Sequence, residues 1–217
     1  QEADIKALGE KPFYNAHSGE GICTTMVGIC AAALGISDVY NMSAEEKKLV
    51  KKAHLLLTFF NVMQPGVFAI SPWDLVGALP LEKRQYEQLS EKDHDEMWRL
   101  RGSVELLNCK ESALSSTIPQ AKTLYGPVKN QLKNKSSYAA LLKELLLARK
   151  SSHIAKATFL GYFPTKTPAL FVFASKLPAT GALQIAGPTR RLYARCGSIS
   201  GKSRSCAAIS MRAVCPG

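Results

Sequence analysis

The sequence predicts an α/β fold that passes into an antiparallel all-β domain, and three observations predict it. The first is the stretch 59–81, FFNVMQPGVFAISPWDLVGALPL. It reads as the end of a helix, a Pro-Gly turn, a short strand and a loop carrying Trp73 and Asp74. The four apolar residues 67–70 do not alternate with polar ones, which fits a strand buried on both faces of a parallel sheet. A strand whose C-terminal end delivers an aromatic residue and an acid into a loop is how a βα barrel builds its active face. The second is a set of helical patterns before and after that stretch. The third is a change near Ser151, where helix gives way to sequential strands on short loops, the pattern of antiparallel pairing.

Each element has its own signals. Thr24 and Thr25 precede MVGICAAALG, in which a Thr N-cap, small apolar residues and a closing Gly35 predict a short helix that is apolar all round. Such a helix has no polar face and belongs inside a larger fold. Ser43-Ala-Glu-Glu46 is a capping box, with the Ser43 hydroxyl facing the N3 amide and Glu46 reaching back. The helix it opens carries a 3.6-residue stripe of Leu49, Val50, Ala53, Leu56, Leu57 and Phe60, with Lys47, Lys48, Lys51 and Lys52 mostly elsewhere on the wheel. Pro65-Gly66 turns the chain, and Pro72 blocks continuation of the strand 67–70. Residues 82–116 are polar, with short helices and a charged surface excursion, EKDHDEMWRLRG. Ser136 or Ser137 then opens the helix YAALLKELLLARK, whose predicted buried face is Leu141, Leu142, Leu145 and Leu146. Residues 156–163, 169–175 and 182–186 read as three strands separated by proline- and glycine-bearing turns.

Composition bounds the function. With 217 residues the chain suffices for one sizeable domain, or one plus a small one. No run approaches the ~20 apolar residues that span a bilayer, so no membrane association is expected. The first residues, QEADIKALGEK, are mixed in charge and unlike a signal peptide, so a cytoplasmic setting is expected. A net charge of +11 invites a nucleic-acid reading, but its distribution argues against one. Five Arg and one Lys lie beyond Gly187 with no acid, which leaves 22 basic against 17 acidic residues in the remainder, interspersed as on solvated helix surfaces. No nucleic-acid partner is expected. Six cysteines divide evenly between body (Cys23, Cys30, Cys109) and tail (Cys196, Cys206, Cys215). None has zinc-ligand spacing, so no metal site is predicted. Cys23 and Cys30 read as buried free thiols. His54, among leucines in mid-helix, reads as a satisfied core or interface histidine rather than a catalytic one, whereas His17 and His153 have no nameable partner. The tail 187–217 has little periodicity and no convincing strand. It reads as disordered or frame-shifted sequence, or alternatively as a short cationic interaction segment.

Several stretches together resemble the trehalose synthases of the α-amylase superfamily of glycoside hydrolases. They are Gly21-Ile-Cys-Thr-Thr25 with the Ala-rich helix to Leu34-Gly35-Ile36; Ala53-His-Leu-Leu-Leu57; the run QPGVFAISPWDLVGALPL over 64–81; and Ala121-Lys-Thr-Leu-Tyr-Gly126 with the helix beyond it. Coverage runs from about Phe13 to about Ala186. The resemblance implies the C-terminal portion of a (β/α)8 TIM barrel over 1–150, with 67–70 as its last strand, and the start of a C-terminal β-sandwich over 151–186. Pro72 stands where the family has Gly, and past Ala186 the expected strand continuation is absent.

What the resemblance implies about chemistry is equally specific. Such enzymes interconvert maltose and trehalose through a retaining mechanism, in which one carboxylate attacks the anomeric carbon and a second, about 5–5.5 Å away, protonates the leaving oxygen. The three carboxylates concerned belong to barrel strands upstream of this sequence, so no catalytic residue is carried over, and the chain alone is expected to be inactive. Trp73 and Asp74 are the candidate substrate-binding residues: the indole to stack on a pyranose, the carboxylate to accept sugar hydroxyls. The competing reading has Trp73 pack the rim and Asp74 cap the following turn. His94-Asp95 looks like the family's pair after the seventh strand but falls after the eighth, and Glu82 and Glu87 read as solvated surface. No cofactor is implied; the partner is a small sugar, maltose or trehalose. An α-glucan-hydrolysing relative and a non-enzymatic binding module with a basic tail are the alternatives. Oligomeric state is not legible.

Overall fold

A computed structural model describes residues 25–86 (side chains at 83 and 86 aside), 101–107, 118–164, 166 and 172–177. It also gives the backbone of strands at 15–17, 21–23, 183–188 and 194–199. In chain order the elements are β1 (Asn15–His17), β2 (Gly21–Cys23), α1 (Met26–Ala33), α2 (Ala44–Val62), α3 (Pro72–Val76), α4 (Lys83–Tyr86), α5 (Val128–Gln131), α6 (Tyr138–Ser151), a 3-10 turn (Ile154–Lys156), β3 (Thr158–Phe163), β4 (Val172–Lys176), β5 (Leu183–Pro188) and β6 (Ala194–Ile199). They form two compact units, Gln1–His54 with Ile70–Leu141, and Leu55–Ala69 with Leu142–Gly217.

In the first unit, β1 and β2 make an antiparallel hairpin with Ala16 opposite Ile22. The predicted caps on α1 form. The Thr25 hydroxyl accepts the Gly28 N–H at 3.2 Å. At the other end Gly35 adopts φ +73, and Ile36 and Gly35 donate back to Ala31 and Ala32. That is a Schellman closure, which needs the left-handed conformation glycine adopts without strain. α1 buries Val27, Cys30 and Ala31 with Ile36, Val39, Met42, Val50 and Leu79. A second cluster joins Val76, Ala78, Leu81 and Ala121, with Trp73, Val104, Leu106 and Val128 packed against it.

α2 opens as predicted. Ser43 donates its backbone N–H to Glu46 Oε2 at 2.7 Å, and Glu46 returns its own to the Ser43 hydroxyl at 3.2 Å. Its buried face is rotated from the predicted stripe. Val50, His54, Leu55, Thr58, Phe59 and Val62 are buried, whereas Leu49 and Leu57 are exposed. The difference arises because two polar residues, His54 and Thr58, lie on the inward side. α6 begins after Ser137, whose hydroxyl accepts the Ala140 N–H at 3.2 Å. Leu142 and Leu145 are buried as predicted, but Leu146 is exposed and Tyr138 and Arg149 take buried positions instead.

The second unit holds a four-stranded antiparallel sheet, ordered β3-β4-β5-β6. Its register runs Phe173 against Ala186 and Ser175 against Gln184. A bulge between Phe159 and Gly161 interrupts the β3–β4 ladder. Phe60 meets Phe173 edge-on at 5.8 Å. Arg149 closes the end of α2: its guanidinium donates to the carbonyls of Val62 and Gly66 and, at 2.6 Å, of Gln64. Burial lowers the pKa of Arg149.

Three expectations need correction. Residues 67–70 belong to no strand, every strand ladder among the described residues is antiparallel, and Val67 is 97 % exposed. A short apolar run becomes a parallel strand only with neighbours on both sides, and the described residues supply none. Second, 72–76 is a helix rather than a loop, because Pro72 occupies its first turn, where a missing N–H costs nothing. Third, the region past Ala186 does contain a strand: β6 pairs with β5 from Leu183–Ile199 to Pro188–Ala194. Its sequence, ARCGSI, shows little apolar alternation, so the backbone ladder rather than side-chain pattern defines it. Among the described residues no helix is long and apolar enough to cross a membrane.

Candidate functional site

Trp73 and Asp74 lie side by side in α3, and local sequence holds them there. Ser71 caps the helix, its hydroxyl accepting the Asp74 N–H at 3.2 Å. Gly77 ends it at φ +62, with Ala78 donating to the Trp73 carbonyl at 2.8 Å. Glycine is required at 77 twice over. The backbone is left-handed, and a Cβ would lie 2.5 Å from Cδ2 of Tyr125.

Trp73 is half-buried against the Val76–Ala78–Leu81–Ala121 cluster. Its indole N–H donates to the Gly102 carbonyl at 2.8 Å. The Arg101 guanidinium carbon is 6.0 Å from the ring centroid, at the outer reach of a cation–π contact. The indole therefore packs as a rim residue does, yet keeps partial exposure.

Asp74, also half-buried, acts electrostatically on a buried constellation in the same unit. At its centre is His54, 1 % exposed. Nδ1 lies 3.0 Å from the Tyr125 hydroxyl and Nε2 3.2 Å from that of Tyr138. A neutral imidazole has one N–H and one bare nitrogen, so one hydroxyl accepts and the other donates. The rings stack as well, with His54 and Tyr138 centroids 4.4 Å apart and Tyr125 and Tyr138 4.9 Å apart. Burial pulls the His54 pKa down to about 4, with Asp74 partly opposing it. Burial, aided by Tyr138, Cys30 and Asp74, pushes the Tyr125 hydroxyl up. Cys30 is pushed up to about 12, mainly by burial and secondarily by Asp74.

This chemistry limits what the constellation does. A thiol that stays protonated at neutral pH is no nucleophile. A histidine shut from solvent, with each ring nitrogen beside a tyrosine hydroxyl, meets no substrate. His54, Tyr125 and Tyr138 form a polar tie within the core, in keeping with the reading of His54 as a core histidine. Trp73 and Asp74 keep partial exposure next to it. Glu82 is engaged at the surface with Lys122 at 2.7 Å and Arg84 at 2.9 Å. Glu87, His94 and Asp95 lie outside the described residues. Among the described residues no group of three or more His, Cys, Asp or Glu is placed to hold a metal ion.

Sequence reasoning missed the two tyrosines. They stand 71 and 84 residues from His54, and a buried histidine among leucines was the only signal that a polar partner had to exist. No protein-family model matches the chain, and no curated protein matches it.

Proposed function

We propose that this chain is part of a retaining α-glucosyl-transferring enzyme similar to the trehalose synthases, acting in the cytoplasm on maltose and trehalose. The observation that carries the reading is the ordered run QPGVFAISPWDLVGALPL, in which Trp73 and Asp74 are adjacent. The capping of α3 at both ends supports it, because a sugar-binding pair works best when its backbone is held before the ligand arrives. In the proposed role Trp73 offers an indole face to a pyranose and Asp74 accepts hydroxyl protons. The intact enzyme would form a glycosyl-enzyme ester on one carboxylate while a second protonates the departing glucose oxygen. The freed glucose would turn and attack through its anomeric hydroxyl, and its proton would return to the second carboxylate. Neither carboxylate corresponds to a residue of this chain, so the chain alone binds sugar weakly and turns nothing over.

The test is to incubate the purified chain with maltose and with trehalose while following sugar-induced shifts of the Trp73 indole N–H by NMR. Binding without turnover supports the reading. Interconversion that depends on one of the chain's own carboxylates overturns the inactive-fragment part, and no perturbation at high maltose overturns the assignment of Trp73. A self-standing binding module is the second reading. It is favoured by the closure of α1 and α2 around a core within the first unit, and a single cooperative thermal transition of the whole chain would support it.

A further inference from the structure

We propose that Arg101 and Trp73 together form a subsite for the oxyanion of a small ligand, a phosphate or carboxylate group. Three arginines have described side chains, and two have their donors engaged. Arg84 pairs with Glu82, and Arg149 donates to three carbonyls. Among the described residues Arg101 makes no hydrogen bond or ion pair, and its Nε, shielded from solvent, has no partner. The neighbouring acids are otherwise engaged. Glu82 holds Lys122 and Arg84, and Glu105 accepts the Leu107 N–H. A half-buried guanidinium with unused donors matches an oxyanion's bidentate geometry, and partial desolvation strengthens that contact.

The site is built rather than incidental. Gly102, at φ +70, fits where a Cβ would meet Leu81 Cδ2 and the Pro119 carbonyl, each at 2.8 Å. Ser103 donates to Pro119 and accepts from Ala121, both at 2.9 Å, so the backbone beside Arg101 is fixed. The same Gly102 carbonyl receives the Trp73 indole N–H. One anchor thus holds the indole and the main chain that carries Arg101, whose guanidinium carbon lies 6.0 Å from the ring centroid, and the ring gives the ligand an apolar ledge next to the charge.

The experiment titrates the full ¹⁵N-labelled chain with sodium phosphate, sodium acetate and maltose at constant ionic strength. It follows the Arg101 Nε–H signal, assigned with R101K, and the Trp73 indole signal, assigned with W73F. The expected result is a saturable shift of both signals with phosphate or with acetate, weakened about tenfold or more in Arg101→Gln; whichever anion acts identifies the source. Shifts no larger than those given by chloride, or binding unchanged in Arg101→Gln, overturn the proposal. Should that variant fail to fold, the Arg101 Nε–H signal of the unmodified chain decides alone. Maltose reports separately on the sugar reading: a response to maltose but to neither anion leaves that reading standing and ends this one, and the reverse result does the opposite.

Discussion

Lowering the pH should destabilise this protein through His54, and the structure sets the size of the effect. The imidazole is buried between Tyr125 and Tyr138, and Asp74 is the carboxylate that acts on it. In the folded chain its pKa falls from 6.5 to about 4. Between those values the unfolded chain binds a proton that the folded chain refuses, so stability rises with pH across the window. The contribution is complete above pH 6.5, is lost progressively as pH falls, and is exhausted near pH 4. A difference of this size corresponds to about 3 kcal/mol, with a steepest slope of about 1.4 kcal/mol per pH unit. Asp38, Glu46 and Glu82 also have lowered pKa values, from hydrogen bonds, and favour the folded state in the same direction. Only comparison with a variant isolates the histidine. Urea unfolding of the unmodified chain and of His54→Leu at intervals from pH 7 to pH 4 makes that comparison. The variant starts less stable at pH 7, and the gap narrows on acidification by about 3 kcal/mol. A constant gap, or an imidazole that titrates above pH 6 by NMR, refutes the reasoning.

Three further substitutions test the packing. Tyr125→Phe removes one hydroxyl bonded to His54, and in a double-mutant cycle with His54→Leu the two changes should couple by about 1 kcal/mol, since the second removes a group the first has already left unpaired. Gly77→Ala forces a Cβ into the Tyr125 ring at a left-handed residue and should cost about 3 kcal/mol, read as a drop in the urea midpoint. Arg149→Met leaves the carbonyls of Val62, Gln64 and Gly66 without their donor. It should cost about 3 kcal/mol, and a loss below about 1 kcal/mol would show that other donors replace the guanidinium.

How much of this was legible in the sequence depends on range. Caps act over three or four residues, so Thr25, Ser43, Gly35 and Ser137 were readable in place. The meander was readable for the same reason: its turns carry their own proline and glycine signals. Facing direction was less so. The stripe on α2 counted leucines and so placed Leu49 and Leu57 inward, whereas His54 and Thr58 are buried. Hydropathy alone excludes a histidine from a core, and only Tyr125 and Tyr138, far along the chain, make it acceptable there. Pro72 was legible as a stop but not as a start, because the same missing N–H serves both purposes and the Ser71 cap decides between them. The candidate site divides in the same way. Trp73 and Asp74 were visible as neighbours in a motif, while Arg101, 28 residues from Trp73, is brought beside its ring only by the fold, next to the Gly102 carbonyl that holds the indole.

The second unit carries the strongest pressure on the proposed function. A short apolar run is selected for burial, yet Val67 is 97 % exposed, and Leu147, Leu160, Tyr162 and Phe163 are about half exposed. On β3 the exposed residues lie on both sides of the strand, the pattern of a surface meant to be covered. If β3 opens a sandwich, it expects a covering neighbour that the described residues do not provide. The native chain should then bind a hydrophobic dye such as ANS strongly, and a lateral partner supplied in trans should displace it. Dye fluorescence no higher than that of the urea-unfolded chain would mean this apolar surface is already covered. The reading of β3 as the opening of a sandwich would fall with it, and a self-contained module would be the better account.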